Sequence, residues 1–213
     1  MAFSKGRTAE QSYIEDTIEV IKSMVCTIPQ VVDEKMNSFE KKYSELAKEW
    51  AEGDEEIEIS YRNQFLAYNP FEEWNSHFYE SFVITTYSFY EKSLKMLLIK
   101  NNLQIPEKSK GNYAKLGFKS LREYIEKYSL QLNSDTYKYY SIITGSYSVL
   151  RNYLVHQDSE ILKRMGFIHQ ESGVKFIDDT IVFKDNRFLI KFLDMVKYIL
   201  LDINEKLEQI TTR

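Results

Sequence analysis

The feature that most constrains the fold is an apolar stripe with helical spacing between residues 8 and 51. The stripe runs from Ile14 to Trp50 in alternating steps of four and three residues, with one extra four-residue step near residues 32–36. Pro29 lies just before this irregularity, lacks a backbone donor and clashes with the preceding helical turn. The pattern predicts one long helix kinked at Pro29, or two helices in succession, packed on the rest of the domain or on a second chain.

Residues that interrupt helices are scarce throughout the chain. Its 213 residues include 7 Gly and 3 Pro, which favours long helices over a β protein with many turns. Apolar residues make up 43% and charged residues 28%, the balance of a globular protein with a sizeable core. We therefore expect a mainly α fold, an up-and-down helical bundle with a long N-terminal helical arm.

Helical spacing also covers residues 71–102, 112–129, 135–157 and 186–210, and Ser134-Asp135 is the predicted cap of the third of these segments. Residues 54–70 are ambiguous because Glu56-Ile57-Glu58-Ile59 alternates like a strand, and we treat them as a connector. We expect an N-terminal helical extension over residues 1–70 and a helical domain over residues 71–213.

Strand-like alternation replaces helical spacing near residues 166–184. β-Branched and aromatic residues flank Ser172-Gly173, a pair typical of tight turns. The pattern predicts a small β-hairpin, or a three-stranded ribbon with a second turn at Asp178-Asp179.

Several function classes are disfavoured by what the sequence lacks. The single cysteine, Cys26, excludes an internal disulfide and a zinc-type cysteine cluster. The N-terminus has no apolar signal segment, and no apolar run approaches the ~20 residues that span a bilayer. We expect a cytoplasmic protein that needs no membrane, metal or cofactor.

The charge distribution points to one region that could attract a polyanion. The net charge of −4 argues against a general nucleic-acid coat protein. Residues 92–127, however, hold nine basic residues against three acidic ones. Such a basic sector can steer RNA toward a site, and it can equally be a solvated helix surface.

Residues Arg151-Asn152-Tyr153-Leu154-Val155-His156 combine two functional side chains at the end of an apolar helix. A guanidinium can hold a phosphate, and an imidazole exchanges protons near neutral pH. Asn152 and His156 share one helix face, whereas Arg151 and His156 lie roughly 140° apart around the axis. The combination suggests phosphodiester chemistry on RNA, although a histidine at a helix end is also a common cap.

Glu91 is the acidic residue that best fits this motif. It falls in the apolar seam Ile84, Tyr87, Glu91, Leu94 and Leu98, where a buried carboxylate needs a cationic or hydrogen-bonding partner. Arg151 is the obvious candidate. A purely structural buried ion pair is the competing interpretation.

The motif Arg151-Asn152-x-x-x-His156 resembles the R-N-x-x-x-H signature of the HEPN superfamily. The stretch Tyr87-Ser88-Phe89-Tyr90-Glu91-Lys92-Ser93-Leu94 is similar to the earlier core helix of that superfamily, which often carries an acidic residue facing the motif. The order of elements also fits, and the resemblance covers about residues 71–210. Some members carry a tyrosine two residues after the histidine, a position that Asp158 occupies here.

The resemblance implies a helical domain that forms homodimers and a metal-independent endoribonuclease of the toxin or host-defence type. The two protomers would bring Arg151 and His156 to a shared cleft. His156 would act as general base or acid, Arg151 would stabilise the phosphorane, Asn152 would orient the histidine or bind a phosphate oxygen, and Glu91 would hold Arg151. RNA is the implied partner, with a protein antitoxin as a further one.

Two other interpretations remain open. Many members of the superfamily are inactive, so the chain could be a non-catalytic helical binding or adaptor module in which Arg151 and Glu91 are structural. Alternatively, residues 8–51 could be the functional part, a heptad arm that recruits a partner.

Overall fold

The fold is mainly helical, as expected. The computed structural model describes residues 7–67, 69, 71, 74–103, 130–156, 174–177, 180–183 and 185–211. The helices are α1 (Ala9–Trp50), α2 (Glu55–Leu66), α3 (Trp74–Lys100), α4 (Ser134–Ile142), α5 (Ser148–His156) and α6 (Arg187–Thr211). A π-helical segment, Ile143–Tyr147, joins α4 to α5, and the helix predicted for residues 112–129 lies outside the described residues.

The hydrophobic core lies where α1, α3 and α6 meet, with α4 and α5 packed against α3 and α6. The first half of α1 contributes Ile14, Ile18, Ile21 and Val25 to the same core as α3 and α6. This part of the arm therefore folds back on the body. The boundary at residue 70 between an extension and a domain remains a prediction.

Helix α1 begins with a reciprocal cap. The backbone N–H of Gln11 donates to Oγ1 of Thr8 at 3.3 Å, and the backbone N–H of Thr8 donates to Oε1 of Gln11 at 3.1 Å, which satisfies two donors at the helix start. The helix then continues through Pro29 to Trp50. The alternative of two helices in succession was therefore wrong, because the helix continues on both sides of this one missing donor.

Helix α2 lies within residues 54–70, the segment that was expected to be a connector. Its start is fixed by Asp54, whose Oδ1 accepts hydrogen bonds from the backbone N–H groups of Glu56 and Ile57 at 3.0 and 3.1 Å. The chain reverses before it through Glu52 (φ 51°) and Gly53 (φ 94°), a backbone conformation that favours glycine. The alternation at residues 56–59 did not indicate a strand, because the Asp54 cap starts a helix there.

The predicted helix 135–157 is built as α4, the π-helical segment and α5. Ser134-Asp135 was the wrong cap, since the capping position is Asn133, which makes no side-chain capping bond. Asp202 of α6 accepts from the backbone N–H of Asn133 at 3.0 Å, from Nδ2 of Asn133 at 2.8 Å and from Oγ1 of Thr136. A carboxylate from a distant helix therefore satisfies the start of α4.

Two short strands, β1 (Val174–Ile177) and β2 (Thr180–Phe183), pair antiparallel with Val174 opposite Phe183. They flank residues 178–179, whereas the predicted turn at Ser172-Gly173 lies outside the described residues. Phe183 of β2 packs against Tyr79 of α3 with ring centroids 5.7 Å apart. No helix in the described part of the chain is long and apolar enough to cross a membrane.

Replacing Asp202 by Ala should lower the free energy of unfolding by about 2–4 kcal/mol, because Asp202 is 5% exposed and its loss leaves buried donors at the start of α4 unsatisfied. Urea unfolding followed by circular dichroism measures this change. Glu205→Ala, at an exposed position on the same helix, is the matched control and should stay within about 0.5 kcal/mol of wild type. Equal stability of the two variants would contradict this role.

Candidate functional site

Arg151 lies on α5, at the contact between α5 and α3. Its side chain is partly buried, and its Nη1 donates to Oδ1 of Asn152 at 3.2 Å. Its Nε is buried and has no acceptor among the described residues. The guanidinium therefore keeps at least one N–H group that the described part of the chain does not satisfy.

The charges of Arg151 and Glu91 both affect the pKa of the Tyr87 phenol on α3. Burial raises the pKa of the Tyr87 phenol, and the negative charge of Glu91 raises it further. A hydrogen bond with Ser148 and the positive charge of Arg151 oppose that shift. Glu91 of α3 and Arg151 of α5 therefore both act on one phenol, as residues on facing helices can when they lie close together.

His156 and Asn152 occupy the last turns of α5. His156 is the final residue of the helix and its side chain is exposed, whereas Asn152 is partly buried and accepts from Arg151. Five residues along an α-helix correspond to about 140° of rotation and about 7.5 Å of rise. Within one chain, Arg151 is thus partly buried and His156 is exposed, and the helix period directs them to different sides of α5.

A cluster of buried tyrosines lies beside Arg151 in the core. Tyr87 and Tyr90 of α3 are 7% and 0% exposed, and their ring centroids lie 6.2 Å apart. Tyr140 of α4 is also buried, and burial raises the pKa of all three phenols. The π-helical segment Ile143–Tyr147 lies between Tyr140 and Arg151, and such segments are frequent at functional sites.

Two open pockets lined by described residues lie away from Arg151 and His156. One, of about 410 Å³, lies between the N-terminal turns of α1 and the second half of α6 and includes Glu15 and Asp202. The other, of about 450 Å³, lies between α4 and α6 and includes Tyr139 and Tyr198. Neither of these two pockets is lined by Arg151, Asn152 or His156.

Metal-ligating side chains do not cluster within the described residues: no group of three or more histidine, cysteine, aspartate or glutamate side chains could hold an ion there. The sequence did not predict Tyr87 and Ser148 as neighbours of the motif. A buried tyrosine and a buried phenylalanine give the same periodicity, so the apolar seam does not reveal the role of the Tyr87 hydroxyl. Glu91, one turn further along α3, was the sequence feature that indicated polar groups in this part of the core.

Known proteins provide no match against which to compare this geometry. No family model, curated protein or solved structure matches the chain. The functional argument therefore depends on the residues and their arrangement alone.

Replacing Tyr90 by Phe should make the protein more resistant to alkali. Burial raises the pKa of Tyr90, so the folded state favours the neutral phenol. That stabilisation is complete below pH 10 or so, the pKa of about 10 that tyrosine has in the unfolded chain, and it is lost as the pH rises above this value. The phenylalanine variant should therefore unfold at a higher pH, with little loss at neutral pH because the hydroxyl has no partner among the described residues.

Circular dichroism and tyrosinate absorbance recorded between pH 8 and 12 measure this shift. Tyr198→Phe, at a position that is 39% exposed, is the control and should leave the midpoint of alkaline unfolding unchanged. An identical midpoint for Tyr90→Phe and wild type would contradict the account of a buried neutral phenol.

Proposed function

We propose that this protein is a HEPN-like, metal-independent endoribonuclease that acts as a homodimer. The proposal rests on the position of Arg151 near Tyr87 of α3, the helix that also carries Glu91. Asn152 follows Arg151 directly, and His156 lies about one turn further along α5. A fixed cation and a proton-exchanging group are the two functions that RNA cleavage through the 2′-hydroxyl requires.

In the proposed reaction, one His156 removes the proton of the 2′-hydroxyl, whose oxygen attacks the adjacent phosphorus. A second His156 donates a proton to the departing 5′-oxygen. The products are a 2′,3′-cyclic phosphate and a 5′-hydroxyl end. Arg151 would stabilise the negative charge that grows on the phosphorane.

Two copies of the chain are needed for this mechanism. Arg151 and His156 of one chain diverge around the helix axis by about 140°, and only His156 is exposed. A second copy that lies against the end of α5 would complete a cleft containing both types of side chain. Asn152 would bind a phosphate oxygen or orient the histidine, and Glu91 would hold the guanidinium in place.

The proposed substrate is RNA, which the basic sector of residues 92–127 would attract. Of that sector, the described part of the chain includes Lys92, which is exposed, Lys95, which is partly buried, and Lys100, which pairs with Glu10 of α1. We place such an enzyme in the cytoplasm as a toxin or host-defence effector, with a protein antitoxin as a possible regulator.

The purified protein should cleave RNA in the presence of EDTA and leave cyclic phosphate ends. His156→Ala should lower the rate by roughly 10²–10⁴-fold, because it removes the proton transfers. Gel electrophoresis of end-labelled RNA, together with mass spectrometry of the new ends, measures both. His77→Ala, at another exposed histidine, is the matched control and should remain active. Equal cleavage by His156→Ala and wild type would exclude the mechanism.

A non-catalytic adaptor is the second candidate, favoured by the burial of Nε of Arg151. In that case the guanidinium serves the contact between α3 and α5 and never meets RNA. Arg151→Ala should then lower the free energy of unfolding by about 0.5–3 kcal/mol, because it removes a partly buried side chain from a helix that packs on α3, while His156→Ala leaves stability and RNA binding unchanged. Chemical denaturation and RNA-binding titrations of the two variants separate this function from the nuclease.

A further inference from the structure

The pocket between α4 and α6 combines aromatic and charged side chains along one helix face. Its volume is about 450 Å³, and α4 contributes Tyr139 to its lining. Helix α6 contributes a stripe with helical spacing: Arg187, Ile190, Lys191, Asp194, Met195 and Tyr198. Cavities of about 300–1,000 Å³ that combine apolar walls with a few polar groups are typical of small-molecule sites.

Tyr139 and Tyr198 form the aromatic end of this pocket. Their ring centroids lie 5.4 Å apart, and their planes make an angle of 89°. In such an edge-to-face pair, each ring covers at most one face of the other. Tyr198 is also 39% exposed, although neighbouring residues of the same helix fill the core. A tyrosine in this position can stack on a flat group, and every nucleobase has a π-face that stacks on aromatic side chains.

Two cations, Arg187 and Lys191, lie one helical turn apart at the opposite end of the pocket. Both side chains are exposed. Nε and Nη2 of Arg187 donate to Oδ2 of Asp185 at 2.9 and 2.6 Å, and this ion pair orients the guanidinium plane. Guanidinium and ammonium groups are the two side-chain cations that bind phosphate most often in proteins.

Asp194 lies between the cations and the tyrosines on α6. Its Oδ1 accepts from Nζ of Lys22 of α1 at 2.6 Å. The other charged groups on this side of α6 are also paired, since Glu19 lies 4.0 Å from Lys22 and 3.4 Å from Lys197. The lining residues thus provide two cations and one carboxylate, and the charge of that carboxylate is compensated by Lys22.

We propose that this pocket binds a nucleoside phosphate, with the phosphate at Arg187 and Lys191 and the base on Tyr198. At 1.5 Å per residue, Asp194 lies about 4.5 Å beyond Lys191 along α6, and Tyr198 lies about 6 Å beyond Asp194. Cation, carboxylate and aromatic ring therefore follow one another in the order of phosphate, ribose and base. The carboxylate is an acceptor for the ribose hydroxyl groups.

The order of these groups favours a nucleotide over simpler ligands. An inorganic anion would contact only the cationic end, and an aromatic acid without hydroxyl groups would donate nothing to Asp194. A nucleoside phosphate engages all three parts, either as a free nucleotide or as one nucleotide of an RNA strand. The proposal goes beyond the nuclease and stands without it, because it uses no residue of the Arg151 motif.

Isothermal titration calorimetry of the full chain with adenosine 5′-monophosphate tests the proposal. The nucleotide should bind, whereas adenosine and inorganic phosphate should each bind with a Kd roughly tenfold higher or more, because each lacks one of the two end contacts. Tyr198→Ala and Lys191→Glu should each raise the Kd of the nucleotide roughly tenfold. Circular dichroism confirms that both variants, changed at exposed positions, are folded.

Tyr137→Ala and Lys35→Glu are the matched controls. Tyr137 is 44% exposed on α4 and does not line the pocket, and Lys35 is an exposed lysine of α1 outside it. Both variants should bind adenosine 5′-monophosphate like wild type. They make the same chemical changes as the two test variants, so they separate the pocket from general effects of losing a tyrosine or reversing a charge.

Combining ligand changes with protein changes tests each contact separately. The preference for the nucleotide over adenosine should disappear in Lys191→Glu. The preference for the nucleotide over inorganic phosphate should shrink in Tyr198→Ala. The 2′,3′-dideoxy nucleotide should bind more weakly than adenosine 5′-monophosphate to wild type, and the two should bind equally to Asp194→Ala.

Competition with single-stranded RNA identifies the source of the nucleotide. The competition uses His156→Ala, which keeps the strand intact. Displacement of adenosine 5′-monophosphate by the RNA would identify a nucleotide of the strand as the ligand, and binding of the nucleotide without displacement would identify the free nucleotide.

Three results would overturn the proposal: no heat of binding at millimolar nucleotide, equal affinity for the nucleotide and inorganic phosphate, or wild-type binding by both Tyr198→Ala and Lys191→Glu. None of these measurements uses RNA cleavage. Failure of the nucleotide site therefore leaves the nuclease proposal untouched, and loss of the nuclease leaves the nucleotide site untouched.

Discussion

The contact between α3 and α5 is the constraint on which the functional account depends. A guanidinium is partly buried there, and its charge and that of Glu91 act in opposite directions on the pKa of Tyr87. Burying a charge is costly without compensation, so the surroundings of this guanidinium matter for how α3 and α5 pack.

Three buried tyrosines on α3 and α4 lie in the core near the contact between α3 and α5. Three phenols in the core hold hydroxyl groups in a medium that disfavours their ionisation. Ser148 supplies a hydrogen bond to Tyr87 from the first turn of α5, directly after the π-helical segment. The motif thus lies beside a group of buried phenols in the core.

The two halves of helix α1 differ in how deeply they are buried. Its first half lies in the core, where Ile14 and Ile18 are fully buried, and it is held to α6 by Lys22, whose Nζ lies 2.6 Å from Oδ1 of Asp194. Its second half packs against α2 through aromatic rings, among them Trp50 and Phe65. One continuous helix therefore connects the body, which holds the Arg151 motif, to the contact with α2.

The long helices could be predicted because their apolar residues recur with a helical period that few local features disturb. Helix α2 could not, since the alternation of Glu56 to Ile59 mimics a strand and the deciding cap is the single side chain of Asp54. The start of α4 depends on Asp202, which is 69 residues from Asn133 in sequence. No local pattern reveals an acceptor supplied by another helix.

At the candidate site, the positions of Glu91 and Arg151 on facing helices followed from the apolar seams. The exposure of His156 was not predicted; the helix period gave only its separation of roughly 140° from Arg151 around the axis. The sequence did not predict the π-helical segment or the hydrogen bond between Tyr87 and Ser148, because both depend on how α4, α5 and α3 pack together. HEPN likeness, homodimerisation and RNA cleavage remain proposals that the residues support.

Dipolar broadening between spin labels at residue 156 tests the central claim most directly. The label would be attached to His156→Cys in a Cys26→Ser background, because Cys26 is exposed and would also react. If two copies share one cleft, the spectrum should be broadened and should sharpen when labelled protein is diluted with unlabelled protein. A spectrum without broadening at any protein concentration would contradict a composite site at the ends of two α5 helices.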